Sequence, residues 1–173
     1  MRLTLVALIA FGAVACHTRI EKENDTELYG GLGVSALPSV GVTVIAGQYF
    51  YRRNPKFDLA FEMRATRQGG SDSATQDGKF FQIQAGVKQV LSPGHDRRLF
   101  FRYGATWMRA TGNPDILDVA GDYLGAFAAV GYEWDLTERL TLSPEVSINA
   151  LNGEGDIGFD LLPQAVVSLL FKF

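Results

Sequence analysis

Between Phe57 and Thr66 the chain reads FDLAFEMRAT. Successive side chains of an extended strand point to opposite faces, so Phe57, Leu59, Phe61, Met63 and Ala65 share one face, and Asp58, Ala60, Glu62, Arg64 and Thr66 the other. A helix, with a period of about 3.6 residues, would scatter both sets around its circumference. The alternation returns from Lys79 to Leu91, where Phe81, Ile83, Ala85 and Val87 oppose Gln82, Gln84, Gly86 and Lys88. It returns from Arg98 to Ala110, with Leu99, Phe101, Tyr103, Ala105 and Trp107 against Arg102, Gly104 and Thr106. Two later segments repeat it: Leu124, Ala126, Ala128, Val130, Tyr132 and Trp134 face away from Gly125, Gly131 and Glu133, and Leu140, Leu142, Val146, Ile148 and Ala150 from Thr141, Ser143, Glu145, Ser147 and Asn149. The first segment, Thr26 to Ala36, sets Leu28, Leu32 and Val34 against Glu27, Gly31 and Ser35, and the second, Gly41 to Arg52, is a strand of undetermined phase. With the final run VVSLLFKF there are eight such segments and no window of helical period, which predicts an all-β chain.

Clusters of Gly, Pro, Asn, Asp and Ser separate the strands. Pro38, Pro55, Pro93, Pro114 and Pro163 fall in connections or at a strand start, as suits a residue with no ladder donor. Pro144 lies inside the seventh strand and predicts a bulge or a broken ladder bond. Short connections (Arg53 to Lys56, Ser92 to Arg97, Thr137 to Arg139) follow the second, fourth and sixth strands. Longer ones (Gln68 to Gly78, Gly112 to Asp122, Asn152 to Leu162) follow the third, fifth and seventh, and Leu37 to Val40 follows the first. The long set carries Asp72, Asp77, Asp115, Asp118, Asp122, Glu154, Asp156 and Asp160 and no Lys or Arg. This sorting puts the two kinds of connection at opposite ends of one antiparallel, up-and-down assembly.

Alternation alone leaves two architectures open. A soluble secreted barrel of the lipocalin type would turn Phe57, Phe61, Phe101 and Trp107 inward, whereas a transmembrane barrel would turn them toward lipid. Strands long enough for a tilted crossing of about 9 to 11 residues favour the second. So does the polar face, which is rich in Gly, Ser, Thr and Gln and nearly balanced in charge. Glu27, Asp58, Glu62, Glu133 and Glu145 stand against Arg64, Lys88, Arg102 and Lys172. Such a set suits a filled interior, because a buried ion without a partner costs several kcal/mol. A lumenal ion network of Asp58, Glu62, Arg64, Lys88, Arg102, Glu133, Glu145 and Lys172 is therefore expected. Aromatic residues near strand ends (Tyr49, Phe50, Tyr51, Phe57, Phe101, Tyr132, Trp134, Phe171 and Phe173) predict an interfacial belt. On this assignment Glu62→Leu should disturb the network modestly, whereas Phe61→Arg should be costly.

Residues 1–15, MRLTLVALIAFGAVA, follow a positive start with an apolar run and a small-residue end, the layout of a signal peptide. The run falls short of the roughly 20 apolar residues of a membrane-spanning helix. The stretch A-V-A-C before the single cysteine, Cys16, resembles a bacterial lipobox, which implies lipidation of that thiol; Ala13 stands where such motifs carry Leu, and Ala13-Val14-Ala15 also reads as an ordinary A-x-A cleavage site. Residues 16–25 then form a polar spacer, expected in the periplasm, and 26–173 the barrel. A net charge of −3 and no basic stripe exclude nucleic acid as a partner.

The alternating Val167, Leu169, Phe171 and Phe173 resemble the C-terminal assembly signal of outer-membrane proteins. The signal, the turn lengths and the eight strands together make residues 26–173 similar to the small eight-stranded outer-membrane β-barrels, of which the membrane domain of outer-membrane protein A is one. The resemblance implies a transmembrane barrel in the bacterial outer membrane, with short periplasmic turns and longer acidic extracellular loops. It also implies closure of the last strand on the first, insertion by the barrel assembly machinery, and outer-membrane lipid and lipopolysaccharide as surroundings.

Some barrels of this size act on lipid A. Lipid A deacylases carry a His-x-Ser pair on a late strand, but the similar place here reads Glu145-Val146-Ser147 and has no base. The only histidines are His17, in the spacer, and His95, in a short turn at the periplasmic end, so the surface His of the palmitoyl-transferase barrels is also missing. The run Asn152 to Gly158 only half resembles a calcium loop, with Ile157 where a sharp-turn Gly belongs. No catalytic residue, cofactor or specific metal site is expected. The first expectation is a non-enzymatic barrel lipoprotein serving envelope integrity or surface interaction. An alternative is an accessory subunit docked to an envelope protein partner through one side of the barrel, where small residues Ala126, Ala128 and Ala150 would permit close approach, or through the lipidated spacer, and a lipid A-modifying enzyme comes third.

Overall fold

In a computed structural model, the structure describes residues 26–37, 40–50, 57–69, 79–91, 97–111, 121–153 and 160–173. They form eight strands: β1 (Thr26–Leu37), β2 (Gly41–Phe50), β3 (Phe57–Gly69), β4 (Lys79–Leu91), β5 (Arg97–Thr111), β6 (Gly121–Asp135), β7 (Leu140–Gly153) and β8 (Asp160–Lys172). Each pairs antiparallel with its sequence neighbour, and β8 returns to β1, so the sheet is a closed barrel with no edge. Several strands run past the bounds read from alternation, because the ladder continues where the pattern fades. β8 begins at Asp160, and Gly121 and Asp122 already belong to β6.

Among the described side chains, the apolar set of each alternating strand faces outward, and the Phe57 side chain lies outside the described residues. Phe61, Met63, Leu124, Val146, Leu161 and Val167 are exposed, while Glu62, Arg64, Gln82, Lys88, Arg102, Glu133 and Asn149 are buried. This inverts the soluble pattern and rejects the lipocalin-type alternative, since a water-facing wall of this composition would be one continuous apolar patch. The second strand now has a phase. Thr43, Ile45 and Tyr49 point in; Val42 points out.

Tyr49 is thus a correction to the expected belt: it is 1% exposed and lies inside, stacked on Tyr29 with ring centroids 4.5 Å apart. Phe101, Tyr132, Trp134, Phe171 and Phe173 do face outward. Tyr132 and Trp134 meet edge to face at 6.2 Å, as do Phe50 and Phe61 at 5.7 Å.

Pro144 keeps its register with β8, opposite Val167. On its other side the β6–β7 ladder pairs Gly131 with Glu145 and resumes at Trp134 with Leu142, skipping the two pairs between, those of Pro144 and Ser143, in unchanged register. The missing donor therefore costs ladder bonds rather than forcing a bulge. The one register shift on the closing seam lies elsewhere, between Ser35 and Leu37 of β1 against β8. The β6–β7 turn is closed locally: the Leu136 N–H donates to the Leu140 carbonyl at 2.8 Å, and the Thr137 hydroxyl accepts from the Leu140 N–H at 3.1 Å.

An eight-stranded barrel is just wide enough for its own side chains. Rings fit where a facing strand has no Cβ. Tyr29 lies over its cross-strand partner Gly47, and Phe100 over Gly131, where an added Cβ would overlap the ring.

Candidate functional site

The interior is layered along the barrel axis. At the short-turn end, Lys172 Nζ lies 3.1 Å from Asp135 Oδ1, and Asp135 in turn lies 3.0 Å from Arg98 Nη2. Arg98 reaches Glu133 Oε2 at 3.1 Å. Glu133 also accepts from Lys88 and from the Tyr49 hydroxyl. Lys88 continues the chain to Glu62 Oε2 at 3.6 Å, and its ammonium sits 4.3 Å from the centroid of the Phe100 ring.

Glu62 is the hub. It accepts from the Tyr29 hydroxyl at 2.7 Å and from Arg64 Nε at 2.6 Å, and lies 3.4 Å from Arg102 Nε. Arg64 and Arg102 then clamp Glu145 from two sides: Arg64 contributes Nη1 at 3.0 Å and Nη2 at 2.9 Å, Arg102 contributes Nη2 at 2.7 Å and Nε at 3.1 Å. Arg102 also stands over the Phe127 ring, 4.4 Å from its centroid. Arg102 forks onto both Glu145 oxygens, the strong kind of ionic hydrogen bonding, while Arg64 adds one hydrogen bond through Nη1 and an ionic contact through Nη2.

Beyond Arg102 the polar groups become neutral. Arg102 Nη2 donates to Gln84 Oε1 at 2.8 Å, and Gln84 Nε2 donates to Asn149 Oδ1 at 2.7 Å. Three amides close a ring: Gln82 donates to Asn149 at 2.9 Å, Asn149 to Gln164 at 3.1 Å, and Gln164 back to Gln82 at 2.7 Å. Gln82 also donates to the Thr106 hydroxyl at 2.9 Å. Toward the long-loop end an apolar cluster of Phe80, Met108, Ala110, Tyr123, Leu151 and Leu162 follows.

Of the eight anticipated positions, the structure brings together Glu62, Arg64, Lys88, Arg102, Glu133 and Glu145, with Lys172 joined through Asp135. Asp58 pairs with Val90 in the β3–β4 ladder, and its side chain lies outside the described residues. Arg98, Asp135, Tyr29 and Tyr49 are members that alternation did not single out. Arg98 and Asp135 sit at strand ends, where a period-two pattern has no length left to declare itself; the two tyrosines are apolar-looking residues in a polar phase. Signals for the latter exist: Tyr29 falls two residues from Glu27 and from Gly31, on the polar face of β1.

Glu145, the acid nearest Ser147 in sequence, is held by two arginines and is in no position to activate a hydroxyl. Val167, Leu169 and Phe171 are exposed on the outer wall of β8, against Val34, Leu32 and Gly30 of β1, and the Phe173 N–H donates to the Leu28 carbonyl at 2.9 Å. Cys16, His17, His95, Tyr51 and the acidic segments 70–78, 112–120 and 154–159 lie outside the described residues. On the outer wall, Ala126 and Ala150 are cross-strand partners, and Ala128 lines a shallow apolar depression with Phe101, Val130, Val146 and Ile148.

No protein-family model matches the sequence, and no curated protein does. Solved structures match in fold. Ail, the attachment invasion locus protein of Yersinia pestis, aligns with 88% of this chain and 100% of its own, with a TM-score of 0.60 and 13% identity. Neisserial surface protein A aligns with 86% of this chain and 96% of its own, with a TM-score of 0.54 and 12% identity. The N-terminal β-barrel domain of Pseudomonas aeruginosa OprF gives 86%, 96%, 0.51 and 12% for the same measures. With its polar interior, apolar wall and closure of β8 on β1, the chain has the fold of the small eight-stranded outer-membrane β-barrels.

Proposed function

We propose that this chain is a non-enzymatic barrel of the bacterial outer membrane, exported by residues 1–15 and tethered additionally by a lipid on Cys16. It carries its long acidic connections at the cell surface for envelope integrity or surface interaction. The observation that supports this reading is the lumen: paired ions, an amide ring and an apolar cluster occupy it in sequence, leaving the outer wall and the loops as the surfaces through which the protein acts. The barrel assembly machinery would read the β8 run Val167, Leu169, Phe171 and Phe173 by strand pairing. Outer-membrane lipid and lipopolysaccharide are the partners the wall would meet.

The test combines three measurements. The purified protein should require detergent and shift in gel mobility on heating, planar bilayers containing it should lack large steady conductance, and lipid A mass spectra should be unchanged on deletion or overexpression. A water-soluble monomer, or altered acylation of lipid A, would refute the reading. Cys16→Ser should abolish incorporation of labelled fatty acid, and persistence of label would remove the lipoprotein element alone.

A second reading, an accessory subunit of an envelope assembly, is favoured by the Ala126–Ala150 pair and the depression beside it, where another apolar surface could approach closely. Co-purification of a stoichiometric partner in mild detergent would select it over a monomeric particle.

A further inference from the structure

At the long-loop end, the outward cations of the described strands fall in one sector of the wall. Arg67 on β3, Lys79 on β4 and Arg109 on β5 all point outward and are exposed at the long-loop end. Register places them together. Arg67 is the cross-strand partner of Phe81, and Phe81 is the partner of Arg109. Lys79 is two residues from Phe81 on the same face, opposite Gly69 on one side and Thr111 on the other. Neighbouring strands lie about 4.8 Å apart, so the two arginine backbones, one on either side of Phe81, are roughly 10 Å from each other, a span that side chains of this length close easily.

Immediately toward the short-turn end, Phe81 and Trp107 meet edge to face at 6.1 Å, followed on the outward face by Ile83 and Ala105. The three cations thus cap an apolar wall at its margin, where long side chains lay their stems on apolar surface and lift their charge toward headgroups.

The placement is not a general property of this rim. Outward positions near the same end of the other described strands are Leu37, Val42, Leu124, Asn152 and Leu161, with Val40 just before β2 and Asp122 beside Arg109. Segments 70–78, 112–120 and 154–159 contain no Lys or Arg. Asp122 Oδ1 is 3.6 Å from Arg109 Nε, with both side chains more than half exposed, so this contact holds the guanidinium loosely.

Building on the membrane reading above, we propose that Arg67, Lys79 and Arg109 form a binding site for the phosphate headgroup of an outer-leaflet lipid whose acyl chains run down the wall past Phe81 and Trp107. Charge complementarity selects the occupant: two guanidiniums supply forked donors matched to phosphate oxygens and the lysine adds a point charge, while the apolar surface directly below excludes a hydrophilic polyanion from the same footprint.

Native mass spectrometry of the folded barrel in maltoside micelles tests this, with phosphatidic acid, diacylglycerol of the same chains and inorganic phosphate as separate probes. The wild-type barrel should retain phosphatidic acid at least about ten-fold better than diacylglycerol, in a way that inorganic phosphate does not displace. The triple variant Arg67→Gln, Lys79→Gln, Arg109→Gln should lose that advantage, and Arg67→Lys alone should keep most of it.

Arg97→Gln with Arg139→Gln, which removes exposed cations from the opposite end, should change nothing. Equal retention by the triple variant and wild type, equal loss in the opposite-end variant, or displacement by inorganic phosphate would each overturn the site. Heat-dependent gel mobility is read on every protein. Its absence from the wild type refutes the membrane reading, whereas folded barrels with indistinguishable lipid retention refute only the site.

Discussion

The two halves of the lumen solve the same problem in different ways. Toward the short turns, Arg98, Lys88, Arg64 and Arg102 alternate in space with Asp135, Glu133, Glu62 and Glu145, and each carboxylate touches at least two cations. Toward the long connections, Gln82, Asn149 and Gln164 circulate neutral hydrogen bonds beneath an apolar cluster. An ionic lattice is only as good as its balance, since deleting one sign leaves the other buried. An amide ring has no net charge to strand, so its failure is limited to unmet donors and acceptors. The halves should therefore respond unequally to the loss of one side chain.

The largest effect is expected at Glu133→Leu, which leaves Lys88 and Arg98 without their shared anion and should cost about 3 to 5 kcal/mol in reversible urea unfolding from phospholipid vesicles. Glu62→Leu belongs in the same class rather than among modest changes, because Glu62 touches three cations and a tyrosine hydroxyl. The wall supplies a reference: Phe61→Arg puts a charge against hydrocarbon and should cost about 2 to 4 kcal/mol in the same assay. In the neutral half, Asn149→Leu opens the amide ring and should cost about 1 to 3 kcal/mol; a value equal to that of Glu133→Leu would dissolve the contrast. Smallest is Lys172→Gln, at the partly hydrated mouth beside Asp135, at about 1 kcal/mol.

Strand number, antiparallel order and the faces of the strongly alternating segments were legible because a period of two leaves no other way to segregate apolar residues. The core acids and bases of the network followed from that parity alone. What escaped was whatever breaks the equation of apolar with outward. In β2, Ile45 and Tyr49 point inward beside Thr43 while Val42 points outward, so both faces read as greasy and parity is lost. The interior keeps its own apolar clusters, one interleaved with the ions around Tyr29, Tyr49 and Phe100 and one beyond the amide ring, and only cross-strand register reveals them. Register also assembled the rim cations: Arg67 falls just past the end of the alternation in β3, and nothing local joins it to Arg109, 42 positions later in the numbering.

The rings seated over glycine carry a consequence for how the cylinder reaches its final alignment. If β2 slid by one pleat against β1, the Tyr29 ring would meet Ile45 or Tyr49 instead of the bare backbone of Gly47; a similar slip of β6 against β5 would drive Phe100 into Ala129 or Glu133. Tyr29 and Phe100 thus each work as a key cut for a single notch, so misaligned closures are rejected by bulk as well as by mismatched ions.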